Sequence, residues 1–478
     1  MANQLSATVL AVAMIAPGID PVTATSLFDD EEPVNIISPS NLGTNLPGGP
    51  TGVSAPVAPQ RTIPSNLDLM RAIQLAVEWH PAIAEAISQL YQQNENVNIA
   101  RSGYYPQVSG GFNSGYDSGL SGNGQSRAFS LSASQMLYDF GKVSSSVDSA
   151  LARVSASQAA ILLSIDQVAR DTSFAMIELQ RSQRLVTVAR EQIEGISAIA
   201  ELAKKRSDMG ASTRSDLIQA RSRVEASMAT QMQFTAQFNR WRSTLSSLLG
   251  AQSPVNVTSG FPASLEQSCV GVVPDAAVTP TLLIAQAQRV DALALIAQAR
   301  AEALPTVSLD PSITHYLDNN DESNLPGGRD RTRYGVFLNV KMPLYQGGAI
   351  TARKSAAQQA LRAAEAADDA ARLAVRQGLL EARDQIGSLS QRLSTLDFRE
   401  RSISETRDLY RQQYLELGTR PLLDLLNAEQ EIHQARMDRE NTAADLRRLN
   451  IDCLYNTGGL RTAFHLDNST LQGVEIRP

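Results

Sequence analysis

Two stretches of this 478-residue chain are almost free of helix breakers. Residues 142–209 contain one glycine, Gly195, and no proline; residues 349–417 contain two glycines and no proline. At 1.5 Å rise per residue, each stretch predicts a helix of about 100 Å. Neither carries a wide apolar face, so neither can sit at the centre of a globular core. Such helices must lie side by side with neighbours, as in a coiled-coil rod or the wall of a tube. The alanine-rich run 349–374 suits close helix packing, with Arg, Asp, Glu, Gln and Ser filling the remaining surface.

Each long stretch ends in a reversal. The first is Met209-Gly210-Ala211-Ser212-Thr213-Arg214-Ser215-Asp216-Leu217, and the second Leu417-Gly418-Thr419-Arg420-Pro421-Leu422-Leu423-Asp424-Leu425. A glycine adopts the left-handed cap conformation that ends a helix without a Cβ penalty. Thr419 is the expected N-cap of the following helix, with Pro421 tolerated in its first turn. The two glycines stand 208 residues apart, and Ala220 and Ala428 fall at equal offsets from them.

The stretches before the long helices also repeat. Val108, Gly110, Phe112, Ser114 and Tyr116 alternate with polar or small residues; Phe129, Leu131, Ala133, Gln135 and Leu137 form one face of a second alternating run. Period two is the mark of a strand, and a Gly/Ser-rich loop between two such runs makes a hairpin. The same order returns in the second half, with Val307, Leu309 and Ile313, then Tyr334, Val336, Leu338 and Val340. The chain is thus a tandem duplication with a period near 207 residues. Repeat 1 covers 66–250, with hairpin 105–138, long helix 142–209 and helix 212–249. A linker, 251–280, leads to repeat 2 at 281–456, with hairpin 306–342, long helix 349–417 and helix 419–456. Residues 457–478 read as a polar tail. At the other end, residues 5–16 resemble the apolar core of a signal peptide ending near Ala24, although Met1 to Gln4 lack the usual basic charge. The Pro-, Gly- and Ser-rich arm 25–65 has no periodicity and predicts disorder.

Composition narrows the function. A net charge of −7 offers no concentrated basic face for nucleic acid. His80, His315, His433 and His465 have no metal-ligand spacing, and Asp139-Phe140-Gly141 lacks the other kinase motifs. No catalytic residue, metal or cofactor is expected. Cys269 and Cys453, the only cysteines, are either one bridge in an oxidising compartment or two separate buried thiols. Four strands in one chain leave two unpaired edges. They fit either a water-soluble sheet with one buried face or one-third of a twelve-stranded membrane barrel formed by three copies.

Taken together, the residues from 66 to 456 resemble the TolC family of trimeric outer-membrane exit ducts. The carriers are Asp68–Pro81, the junctions Tyr138-Asp139-Phe140-Gly141-Lys142 and Tyr345-Gln346-Gly347-Gly348, and the two reversals. The resemblance implies a mainly helical homotrimer: a twelve-stranded outer-membrane β-barrel continued by a periplasmic α-helical barrel. It also implies a periplasmic adaptor, and an inner-membrane ABC exporter or proton-driven pump, as partners. Leu-Leu-Asp-Leu-Leu-Asn-Ala-Glu-Gln at 422–430 looks most like the branch serving type I protein secretion. Multidrug efflux, or a non-pore periplasmic helical-hairpin adaptor, are the other readings.

The resemblance carries over to particular positions. Gly210, Ala211, Ser212, Gly418, Thr419 and Arg420 would be adaptor-docking turns at the periplasmic tip. Arg420 and Asp216 match a charged pair that latches the tip. Asp424 matches the first of two acidic aperture residues, and Asn427 replaces the second, which puts tight divalent-cation block in doubt. A disulfide between Cys269 and Cys453 would fall at mid-height of the tunnel.

Overall fold

A computed structural model describes residues 63–64, 66–116, 125–269, 279–317, 331–467, 470–472 and 474–475. Every described residue lies in one compact unit, Arg61–Pro478. The expected signal peptide, nearly all of the expected arm and both hairpin tips lie outside the described residues.

Among the described residues the first element is a two-residue strand, β1 (Asn66–Leu67). Asp68 then caps α1 (Leu69–Trp79), its carboxylate accepting from the Arg71 amide at 2.8 Å. Pro81 ends α1 and begins α2 (Pro81–Arg101). Next come β2 (Gln107–Tyr116), β3 (Gln125–Tyr138), α3 (Lys142–Asp208) and α4 (Arg214–Leu248). The linker contains β4 (Asn256–Val257), which pairs in parallel with β1, and α5 (Ala263–Glu266). The order of repeat 1 then recurs as α6 (Pro280–Ala301), β5 (Thr306–Tyr316), β6 (Thr332–Lys341), α7 (Ala349–Gln412) and α8 (Leu422–Thr457). The chain closes with α9 (Leu460–Ala463) and a small hairpin, β7 (Thr470–Leu471) with β8 (Val474–Glu475).

The two repeat hairpins join into one antiparallel sheet of order β2-β3-β5-β6. Cross-strand partners share a face, so the register gathers the apolar side chains on one side. Phe112 lies opposite Phe129, Leu131 opposite Ile313, Leu309 opposite Leu338 and Val307 opposite Val340. That face is open: Val108, Phe129, Leu131 and Val336 are all more than half exposed. The other face is polar. Ser109 and Ser132 hydroxyls meet at 2.8 Å, and Asp310 accepts from Ser134 at 2.6 Å and from Ser308 at 3.1 Å. One detail departs from simple alternation. A bulge between Met136 and Tyr138 puts Tyr138, not Leu137, opposite Val307.

The helices lie side by side. Towards the sheet the row runs α2–α3–α6–α7; beyond it the row is α4–α3–α8–α7. Inner and edge helices differ sharply. Of the 67 residues of α3, 26 are buried, but of the 64 of α7 only four are, so α7 has a largely unpartnered face. The seams mix apolar contacts with ion pairs. Arg170 of α3 meets Asp452 of α8 at 2.6 Å while its guanidinium stacks on Phe174 and Tyr455. Arg399, Arg436 and Arg439 bind Glu431, Glu400 and Asp397 between α7 and α8.

The main apolar core gathers where α1 crosses α3, with Ile73, Ile165, Met176 and Leu245 fully enclosed. The expected polar tail belongs to it: Leu460, Phe464 and Leu466 are buried there. Arg461 is buried as well, and donates to the carboxylate of Asp166 on α3. Burial pushes the Asp166 carboxyl up to about 7, against the pull of the Arg461 guanidinium. The charged residues made this segment look like a solvated tail; pairing is what lets it enter the core.

Cys269, which follows α5, is joined to Cys453 of α8, with S–S 2.00 Å. Both are buried, packed against Leu379 and Ala382 of α7. The bridge therefore ties the linker to α8 at the place where α7 makes its own few buried contacts.

Candidate functional site: the helical tip

At the first reversal Gly210 takes φ +74°, and the Ala211 amide reaches back to the Arg206 carbonyl at 2.7 Å. Thr213 then caps α4 in a capping box. Its hydroxyl accepts from the Asp216 amide at 3.2 Å, and Asp216 accepts from the Thr213 amide at 3.2 Å. The Ser212 hydroxyl also donates to Asp216 at 2.8 Å. That bond chiefly holds the Asp216 carboxyl below its ordinary value; slight desolvation opposes it and Thr213 assists.

The second reversal differs from its expected form. The α7 helix does not run unbroken to Leu417: residues Gln413–Leu417 widen into a π-turn, and Gly418 follows at φ +61°. Nor does Thr419 cap α8. The helix begins at Leu422 with Pro421 in the N-cap position and no side-chain cap. The extended step through Pro421, ψ 148°, places Thr419 three residues before the first helical residue, out of cap position.

The expected pair of Arg420 with Asp216 is not formed in the protomer among the described residues. Each group is satisfied within its own turn. Arg420 stacks on Tyr410 at 4.3 Å, donates to Gln413 at 2.9 Å and pairs with Asp424 at 3.1 Å. Asp216 spends its oxygens on the capping box and Ser212. Asp424 is thus half-buried and partly neutralised, whereas Asn427 is exposed. Leu423, Asn427, Gln430 and Gln434 share one exposed face of α8, so the face beyond Asp424 is uncharged at these positions.

What joins the two reversals is a residue pair without a sequence signal. Arg206, near the end of α3, donates from Nη1 to the Tyr414 carbonyl at 2.5 Å and stacks 4.5 Å above the Tyr414 ring. Tyr414 is buried inside the π-turn, and its ring packs with Ile196, Ile199, Ala220, Leu422 and Leu425. A cation over an aromatic face is worth about 1–2 kcal/mol when partly desolvated. A second link joins α4 to α8: Arg223 donates to Gln430 at 2.5 Å. Only the fold brings Arg206 to Tyr414 across 208 positions.

Among the described residues the tip has no grouping of His, Cys, Asp or Glu able to hold a metal. Its chemistry is that of a mechanical junction: two capped turns, one widened helix and a bridging guanidinium. No described helix is long and apolar enough to cross a membrane.

A family model described as "Outer membrane efflux protein" matches residues 72–251 and 276–451, one segment per repeat. Protein CyaE of Bordetella pertussis is 26% identical over 332 residues, 67% of this chain and 69% of that protein. The outer membrane protein TolC of Escherichia coli is 22% identical over 436 residues, 86% of each chain. Among solved structures, a membrane protein from Pseudomonas aeruginosa superposes with TM-score 0.72 at 20% identity, covering 85% of this chain and 96% of that one. The chain belongs to the outer membrane efflux protein family, whose members include TolC-like channels of the outer membrane. It is accordingly an outer-membrane transport protein, with its helices on the periplasmic side.

Proposed function

We propose that three copies of this chain form an exit duct. Their four-stranded sheets close into a twelve-stranded barrel, and their helices close into a tunnel through the periplasm. One observation carries the reading. The sheet presents an exposed apolar face, and its outer strands β2 and β6 each pair on one side only among the described residues. Closure by copies removes both edges at once and leaves the apolar face for lipid. The same closure would cover the largely unburied α7 with a neighbour's helix.

In this reading the reversals at Gly210 and Gly418 form the periplasmic aperture and the docking place for a periplasmic adaptor. The adaptor in turn connects to an inner-membrane ABC exporter. The form of the second reversal, Leu422 to Gln430, supports type I protein secretion as the cargo route. Heat-resistant trimers in outer-membrane fractions, with ion conductance in planar bilayers, are the expected result. A monomer without conductance would refute the duct. Copurification of an ABC exporter supports protein secretion, and copurification of a proton-driven pump would move the assignment to multidrug efflux.

A further inference from the structure

The single glycine of α3 has a definite occupant. A Cβ at Gly195 would collide with Oε1 of Glu429 on α8 and lie 2.8 Å from its Cδ. Glu429 is only 5% exposed, so the glycine is what lets a carboxylate seat directly against the α3 backbone. One helical turn on, His433 is 2% exposed and places Nε2 3.1 Å from that same Oε1. From the other side Arg407 of α7 comes within 3.7 Å of Oε2. Three helices therefore converge on one buried carboxylate, and it lies on α8 five residues beyond Asp424 and two beyond Asn427.

We propose that Glu429 and His433 form a proton-sensitive seat that holds α8 between α3 and α7 behind the tip, and that acid loosens it. The proposal rests on the reading of the tip as the duct's aperture. A carboxylate oxygen only accepts, so in the neutral ring Nε2 carries the proton and donates to Glu429. Nδ1 is then a bare acceptor, buried and without a hydrogen-bond partner among the described residues. A histidine is the side chain that changes charge between pH 5 and 8. Its second proton would go on Nδ1, creating a buried donor with nothing to accept it. Glu429 attracts the new charge through Nε2, but the same carboxylate already faces Arg407, and the stranded Nδ1 donor remains.

The surroundings offer little compensation. On α7, Arg407 is shared with Asp408 at 2.8 Å. On α3, Gly195 contributes no side chain, and Glu191 is engaged by Arg436, which also binds Glu400 of α7. Glu194, the other acid beside Gly195 on α3, is exposed. On α4, the charged group that reaches α8 here is Arg223, which donates to Gln430 at 2.5 Å. Relief comes when the His433 ring reaches water, which requires α8 to leave its seat. Because the same helix carries Asp424 and Asn427, displacement there moves the aperture.

The test is hydrogen–deuterium exchange on the purified full-length assembly at pH 7.5 and 5.5, corrected for intrinsic exchange, beside planar-bilayer conductance over the same range. Amides of residues 425–437 should exchange about tenfold faster at the lower pH, an effect of the size one stranded buried donor produces. His433→Gln retains a neutral donor and should flatten the pH profile. His433→Met, without a titratable group, should do the same and serves if the first variant fails to assemble. A wild-type profile in an assembled variant, or slower exchange in acid, would overturn the proposal. Faster exchange with unchanged conductance would keep the seat and count against the tip as aperture.

Discussion

Removing the bridge between Cys269 and Cys453 tests how the linker is held to the helical layer. The cysteines are 184 residues apart in sequence. By the chain-entropy relation, closing a loop of that length lowers the free energy of the folded state relative to the unfolded one by about 5 kcal/mol. With an unfolding entropy of about 2.1 cal/mol/K per residue over some 400 residues, that corresponds to roughly 6 °C in Tm. Cys269→Ser, Cys453→Ser and the double variant should lose nearly the same amount, because each removes the whole cross-link. The loss should be local in its first stage. Leu379 and Ala382 pack on the sulfurs, so exchange should rise first in residues 379–386 of α7 and in 263–269. Thermal denaturation in detergent, with and without reductant, measures the effect, and thiol titration verifies reduction. Two titratable thiols with an unchanged Tm would refute the entropic reasoning.

Arg206→Ala should weaken the junction of the two reversals by about 1–2 kcal/mol, seen as faster exchange in residues 413–417 with the β-sheet unaffected. Arg461→Ala should cost about 3–5 kcal/mol, since it strands Asp166 in the core; thermal unfolding reads it. The sign of the Asp166 shift also predicts a pH dependence. Its folded value, about 7, lies above the unfolded 3.8, so the folded state binds the extra proton. That contribution is present below about pH 4 and is lost as pH rises through 7; Asp166→Asn should remove the slope between. Asp424→Ala frees Arg420 and should reduce cation selectivity in bilayers only modestly, because the acid is already paired at 3.1 Å.

Much of the architecture was legible because it is written in local periodicity. The scarcity of glycine and proline in 142–209 and 349–417 marks two long helices, and period-two runs mark four strands. Gly210 and Gly418 mark the two reversals, and both take the left-handed conformation there. The structure departs from the sequence reading for two kinds of reason, a local backbone step or local partners at the reversals and a distant partner in the core. Thr419 had the right chemistry for a cap and the wrong position, because the chain takes an extended step through Pro421. Arg461 looked solvated because nothing nearby in sequence announces Asp166, almost 300 positions earlier. Arg420 and Asp216 were paired by resemblance, yet each found closer partners within its own turn.

The amino-acid order by itself determined the duplicated helix–hairpin–helix plan, the sites of reversal and the two faces of the strands. These follow from backbone preferences and alternation, which act over a few residues. Only the tertiary structure decided which helices abut, that Arg206 meets Tyr414, and why α3 keeps its one glycine. Those choices depend on close packing and on satisfying buried charge between segments 150 to 300 residues apart, and no local pattern encodes them. Gly195 reads in sequence as a mild flaw in a helix; in the fold it is the space that Glu429 occupies.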